Sequence, residues 1–200
     1  MSVIIVPTSI KDAMAKYITG AIERLDPTRY DQEPNYVAAL LGKLDGVVYE
    51  GADGRFELKC TSVNGIGPNA AEKKFGADFA LVAAVDYQGQ TYEKAVLGQA
   101  KKGNSDELSL SESTRLEGQT STMRTYSDHY LVLHTPRGLG ETVTVRRSVP
   151  SNPENLHRPE TLTDYLEAML RCSHGDSRKG FTRSVANSKL PKLKAILRRK

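Results

Sequence analysis

Apolar side chains at Ile10, Ala13, Met14, Tyr17, Ile18, Ala21, Ile22 and Leu25 recur every three or four positions, the stripe of an amphipathic helix over 10–25. Ser9 is placed to cap that helix, with Asp12 three residues on. A second stripe, Val37, Leu40, Leu41 and Leu44, follows Pro34, a residue suited to the first helical position, and Glu33 stands at the very start. Over 47–63 the period shortens to two. Phe56, Leu58 and Cys60 alternate there with Glu57, Lys59 and Thr61, a strand with one buried face. Two β-prone runs, 77–85 and 91–101, join through residues 86–90, whose centre Gln88-Gly89 carries the glycine of a tight hairpin. The polar, Ser-rich stretch 103–115 predicts a loop before a third helix around 114–126. Runs 130–135 and 142–149 predict two more strands, turned by Pro136-Arg137-Gly138, and a last helix over 162–172 is capped by Thr161 and stopped by Gly175. This order predicts an α/β fold: a mixed, partly antiparallel sheet flanked by helices.

The longest unbroken apolar run, 79–85, is far short of the roughly 20 residues of a membrane span. Residues 3–6 are apolar but lack the basic lead and length of a signal peptide. Cys60 and Cys172 form no CxxC pair, which argues against a disulfide framework and a structural zinc site. A cytoplasmic protein with no membrane partner is expected.

Charge divides the chain. Residues 178–200 hold nine Lys and Arg and no acid, and removing those nine from the formal net charge of +4 leaves −5 for residues 1–177. The expected organisation is a domain over 1–177 followed by a basic C-terminal tail over 178–200. A concentrated basic segment suits a phosphate-backbone partner, because each neutralised phosphate releases a counterion. A solvated tail that only aids solubility has the same composition.

The hairpin carries the candidate chemistry. With Gln88-Gly89 as a two-residue turn, positions summing to 177 lie opposite one another, so Asp78 faces Gln99 and Gly76 faces Lys101. Gln99 and Lys101 then share a face with Asp78, at cross-strand spacing of about 5 Å. Two arrangements fit: an Asp78–Lys101 ion pair, or a hard cation held by Asp78, the Gln99 side-chain oxygen and the Ala100 carbonyl, with Lys101 beside a bound water. A cation and a lysine together meet the needs of phosphodiester cleavage. A one-residue slip, or a bulge at Gly98, would separate Asp78 from the other two.

Gly76-Ala77-Asp78 followed by Gln99-Ala100-Lys101 resembles the D…(D/E)xK signature of the PD-(D/E)XK nuclease superfamily, in a variant with glutamine at the acidic position. Glu33 resembles the additional metal-site glutamate of many members. Gln119 with Met123 resembles the QxxxY helix of RecB-like members, with Met in place of Tyr. Cys172-Ser173-His174-Gly175-Asp176 resembles a closing Cys-x-x-Gly-Asp element of nuclease domains in bacterial anti-phage effectors.

The resemblance implies a restriction-endonuclease-like core and Mg²⁺- or Mn²⁺-dependent endonucleolytic hydrolysis of DNA. Asp78 would bridge the metal, Gln99 would be a neutral ligand, Glu33 a supporting ligand, and Lys101 the water-orienting or charge-stabilising group. An amide brings no charge to the metal, so Glu33 has to supply what Gln99 lacks, and an inactive nucleic-acid-binding relative is the alternative. DNA contacts are expected from Gln119, Arg178, Lys179, Arg183, Lys189, Lys192 and Lys194, although Gln119 also fits a buried structural amide on the stripe of Leu116 and Met123. An effector in anti-phage defence or restriction, controlled by a sensor partner or by homo-oligomerisation, fits the same resemblance.

Gly65-Ile66-Gly67-Pro68-Asn69-Ala70 matches a GxGxxA fingerprint, but too few residues separate it from the strand after Gly76 for a crossover helix, so a loop near the active face is expected. His129, His134, His157 and His174 show no metal-binding spacing and are expected as strand or surface residues.

Overall fold

A computed structural model describes residues 4–61 and 71–199. In chain order the elements are α1 (Thr8–Glu23), α2 (Glu33–Leu44), β1 (Val48–Gly51), β2 (Gly54–Thr61), α3 (Ala71–Phe75), β3 (Phe79–Tyr87), β4 (Gln90–Lys102), α4 (Leu110–Arg124), β5 (Tyr130–Thr135), β6 (Thr144–Val149), β7 (Asn152–Leu156), β8 (Glu160–Thr161), α5 (Leu162–Leu170), α6 (Lys179–Ala186) and β9 (Lys192–Arg199). The strands form one mixed sheet in the order β1-β2-β9-β3-β4-β5-β6-β7, with β8 on β6. This is the expected α/β core flanked by helices.

The helical stripes are buried where the spacing placed them: Ile10, Ala13, Met14, Ile18 and Ala21 on α1, and Val37, Leu40, Leu41 and Leu44 on α2. With α5 they cover one sheet face, in a core that contains Phe79, Leu81, Ala83 and Val85. The opposite face buries Ala80, Val82, Ala95 and Leu97 with Met123 of α4 and Phe181 and Val185 of α6. Both faces of β3 are therefore covered, which is why its sequence is continuously apolar rather than alternating. The hairpin turn has positive φ at both Gln88 (50°) and Gly89 (74°), the geometry whose twist matches the flanking strands.

Three expectations change. Ser9 does not cap α1: the helix begins at Thr8 after Pro7, and the Ser9 hydroxyl donates to Asp53 at 2.7 Å. The helix expected at 114–126 begins at Leu110, because Ser109 and Glu112 form a reciprocal capping box.

The third change is larger. Residues 178–200 are not a tail appended to a finished domain, because 179–186 form α6 and 192–199 form β9. β9 runs antiparallel to β2 and parallel to β3. Leu193, Ala195 and Leu197 lie in one core, while the lysines and arginines between them alternate outward or find partners. Lys192-Leu193-Lys194-Ala195 alternates with the period of a strand before the buried Ile196 and Leu197, a pattern hidden in the sequence beneath the density of charge.

The expected loop at 65–70 lies outside the described residues. No helix among the described residues is long and apolar enough to cross a membrane.

Candidate active site

The β3–β4 pairing runs from Tyr87–Gln90 to Phe79–Gly98, the register expected from the turn. At its open end the Asp78 N–H donates to the Gly98 carbonyl at 2.9 Å, so Asp78 and Phe79 both face Gly98, as in a β-bulge. The bulge does not carry Asp78 away. Its Oδ2 accepts the side-chain amide of Gln99 and the Ala100 N–H, the latter at 2.9 Å.

Past the start of β3, the edge of β4 continues to Lys102 with no strand beside it on that side among the described residues. There the Lys102 N–H donates to Glu33 Oε1 at 3.3 Å, and the Lys102 ammonium donates to the Tyr30 carbonyl at 3.3 Å. Two carboxylates, one from the start of β3 and one from the start of α2, thus occupy alternate N–H groups on one strand edge. Those N–H groups are two residues, or about 7 Å, apart along a strand. The N–H and C=O of one strand residue point the same way, so the Ala100 carbonyl is directed along this edge as well.

Gln99 is 2% exposed and its Oε1 is buried with no hydrogen-bond partner among the described residues, while Lys101 is 5% exposed. Burial pushes the Lys101 pKa down, as does the Arg115 guanidinium, against the upward pull of Asp78, Glu33 and Glu112. Asp78, Glu33, Gln99 and Lys101, drawn from three elements, are brought to one end of the sheet.

The donor types suit a hard divalent cation, which prefers oxygen and tolerates several waters. Asp78 and Glu33 offer carboxylates, Ala100 a carbonyl, and Gln99 a buried oxygen with no hydrogen-bond partner among the described residues. No group of three or more His, Cys, Asp or Glu is placed to hold a metal among the described residues, so such a site relies on amide and carbonyl oxygens to complete it.

Further residues that spacing and motif do not single out complete the surroundings. Glu112 and Arg115 lie on the first turns of α4 and act electrostatically on Lys101. Loop-like composition hides them in the sequence, although Ser109-Leu110-Ser111-Glu112 is a capping-box pattern. His134 is the β5 partner of Lys101 and shares its face. Its Nδ1 meets the Gly103 carbonyl at 2.7 Å, its Nε2 is buried without a partner, and burial pulls its pKa down.

Gln119 on α4 is half-buried, with Oε1 buried and unpartnered. The helix presses on the chain just before Asp78. A Cβ at Gly76, where φ is 67°, would stand 2.6 Å from the Gln119 carbonyl and 2.8 Å from Thr122 Cβ, so only glycine permits this approach.

Other expected contacts fall elsewhere. Asp176, 5% exposed, accepts from Ser127 at 2.7 Å and from Arg178 at 2.6 Å, and it bridges to Ala95. Ala95 lies six residues, or about 20 Å, along β4 from Lys101. The Cys172–Asp176 element therefore braces the sheet away from the candidate site.

The basic residues expected to meet DNA also divide. Arg178 is committed to Asp176 and the Tyr126 carbonyl, and the Lys192 ammonium donates to the Ser188 and Leu190 carbonyls. Lys194 pairs with Glu93 at 3.4 Å, and Arg198 pairs with Glu57 and Asp86. The nine cations that face no acid in the sequence thus find several in β2, β3 and β4. Lys179, Arg183 and Lys189 are exposed and pair with no acid among the described residues.

Comparisons with family models, with curated proteins and with solved structures found no match.

Proposed function

We propose that the protein is a Mg²⁺- or Mn²⁺-dependent endonuclease that hydrolyses DNA phosphodiester bonds. The observation that carries the reading is the gathering of Asp78, Gln99 and Lys101 at the end of one hairpin, with an unpartnered amide oxygen and a buried ammonium side by side. Asp78, Gln99 and Glu33, with the Ala100 carbonyl, would hold the metal. When bound, it would polarise the phosphoryl group and acidify a water.

The protein's own residues supply the rest. Lys101 offers positive charge where the phosphorane oxygens become more negative, and its burial strengthens that interaction relative to water. Asp78 stays oriented because the Ala100 N–H and the Gln99 amide fix one carboxylate oxygen. Lys179, Arg183 and Lys189, on the side of the sheet that carries Gln99 and Lys101, offer a basic surface for the DNA backbone. A cytoplasmic effector role in anti-phage defence or restriction, under a regulatory partner or through self-assembly, is suggested by the family resemblance alone.

The test is plasmid nicking by the purified protein with Mg²⁺ or Mn²⁺. Asp78→Ala and Lys101→Ala should each abolish metal-dependent nicking, and nicking that survives both substitutions overturns the site. DNA binding by the wild-type chain without nicking in either metal would instead select the non-catalytic nucleic-acid-binding reading.

A further inference from the structure

Between α3 and α4, against the chain that leads into Asp78, lies a cavity of about 270 Å³ lined by Lys73, Gly76, Arg115, Gly118, Gln119 and Thr122. Lys73 and Arg115 are exposed and form no ion pair among the described residues. Neighbouring cations are otherwise occupied: Lys74 lies over the Phe75 ring at 5.2 Å, and Arg124, farther along α4, pairs with Glu154 at 3.2 Å. Gly76 and Gly118 add no side chain to the lining, which the side chains of Gln119 and Thr122 share with the two cations.

Arg115 also acts on Lys101, a like charge held in a buried position. A compact anion with several acceptor oxygens matches the Arg115 guanidinium, the Lys73 ammonium and the side-chain N–H groups of Gln119, while the Thr122 hydroxyl already donates to the Gly118 carbonyl at 3.0 Å.

We propose that this cavity is a phosphate subsite in which Lys73 and Arg115 hold the backbone phosphate next to the one presented to Lys101. The substrate is then a polynucleotide strand running along α4 from Asp78, rather than a mononucleotide or an isolated diester. This assignment rests on the nuclease reading for the identity of the polymer, while the phosphate chemistry of the cavity stands on the cavity alone.

The test separates the two. Binding of a fluorescent duplex of about 16 base pairs is followed by anisotropy in EDTA, where cleavage does not enter, across a salt series. Lys73→Gln combined with Arg115→Gln should weaken binding on the order of tenfold and lower the log–log salt slope by about one per residue removed. Arg124→Gln, on the same helix but paired to Glu154, serves as the control and should leave the slope unchanged. Both substituted side chains of the double variant are exposed, and its melting temperature should match the wild type. Unchanged affinity and slope in the double variant overturn the subsite. Competition by inorganic phosphate or a mononucleotide as effective as that by the duplex overturns the polymer assignment. Weakened binding in the variant, together with no nicking by the wild type in either metal, retains the subsite and removes the nuclease reading; nicking with unaltered binding in the variant does the reverse.

Discussion

Gly98 lies against the ring of Phe79 so closely that a Cβ at position 98 would overlap the ring carbons. Phe79 is its register partner and is buried at the heart of one core, so the ring has nowhere to retreat. The same Gly98 carbonyl receives the Asp78 N–H, which ties the packing of that ring to the placement of the carboxylate. Gly98→Ala should therefore cost about 1–3 kcal/mol, the usual penalty of overpacking, and should also displace Asp78. Urea denaturation reads the first effect, and metal-dependent nicking at a temperature where the variant is folded reads the second. A variant with wild-type stability and activity would show that the strand end is not fixed by this contact.

Gln99 presents an amide N–H to Asp78, and Gln99→Glu replaces that donor with a second carboxylate. Like charges a few ångströms apart cannot both ionise cheaply, so one of the pair should titrate at raised pH and the metal-free variant should melt lower. A divalent cation reverses the sign, because two carboxylates hold it more strongly than a carboxylate and an amide. Melting curves with and without Mg²⁺ should show a larger metal-induced rise for Gln99→Glu than for the wild type. Equal rises would place any bound cation away from Gln99.

The pH dependence of Lys101 follows from its surroundings. Its pKa is pushed below the ordinary 10.5, first by burial and then by Arg115. Between the folded and unfolded values the unfolded chain binds more protons, so stability rises with pH across that window, and the cost of charging the buried ammonium is present in full below it. Lys101→Met should therefore be more stable than the wild type at neutral pH, with the gap closing as pH approaches 10.5. Arg115→Gln removes the like charge and should move any basic limb of the nicking profile, where Lys101 loses its proton, to higher pH. A gap independent of pH would mean that Lys101 is not the group responsible.

How much of this is legible in the sequence depends on whether the signal is local. Helices α1, α2 and α5, the hairpin and its register over Phe79–Tyr87 each follow from spacing and turn chemistry within a short stretch of chain; direct pairing predicts the meeting of Asp78 with Gln99, but that meeting is made through a bulge at Gly98 that the sequence does not announce. Glu33 cannot be placed by spacing, because its contact with Lys102 spans 69 positions and depends on how α2 packs. Arg115 escapes because Ser and Glu at 109–112 look like loop composition until their reciprocal capping is recognised. β9 is the largest loss: lysines at 192 and 194 and arginines at 198 and 199 read as solvated charge, whereas the acids that balance two of them, Lys194 and Arg198, come from distant strands.

The placement of β9 changes what a deletion would report. If residues 178–200 were only a tail, removing them would leave a folded domain with weaker DNA binding. As β9 lies between β2 and β3, deletion should instead split the sheet and strip Leu193, Ala195 and Leu197 from the core, abolishing the cooperative thermal transition. The electrostatic question needs a gentler change. Lys179, Arg183 and Lys189 are exposed, and replacing all three with Gln should hold stability within about 1.5 kcal/mol, since surface substitutions rarely exceed about 0.5 kcal/mol each. The same triple variant should lower the salt slope of DNA binding by up to about three, one for each phosphate no longer neutralised. A folded, soluble deletion product would refute the strand assignment, and an unaltered slope in the triple variant would show that these cations serve solubility rather than DNA.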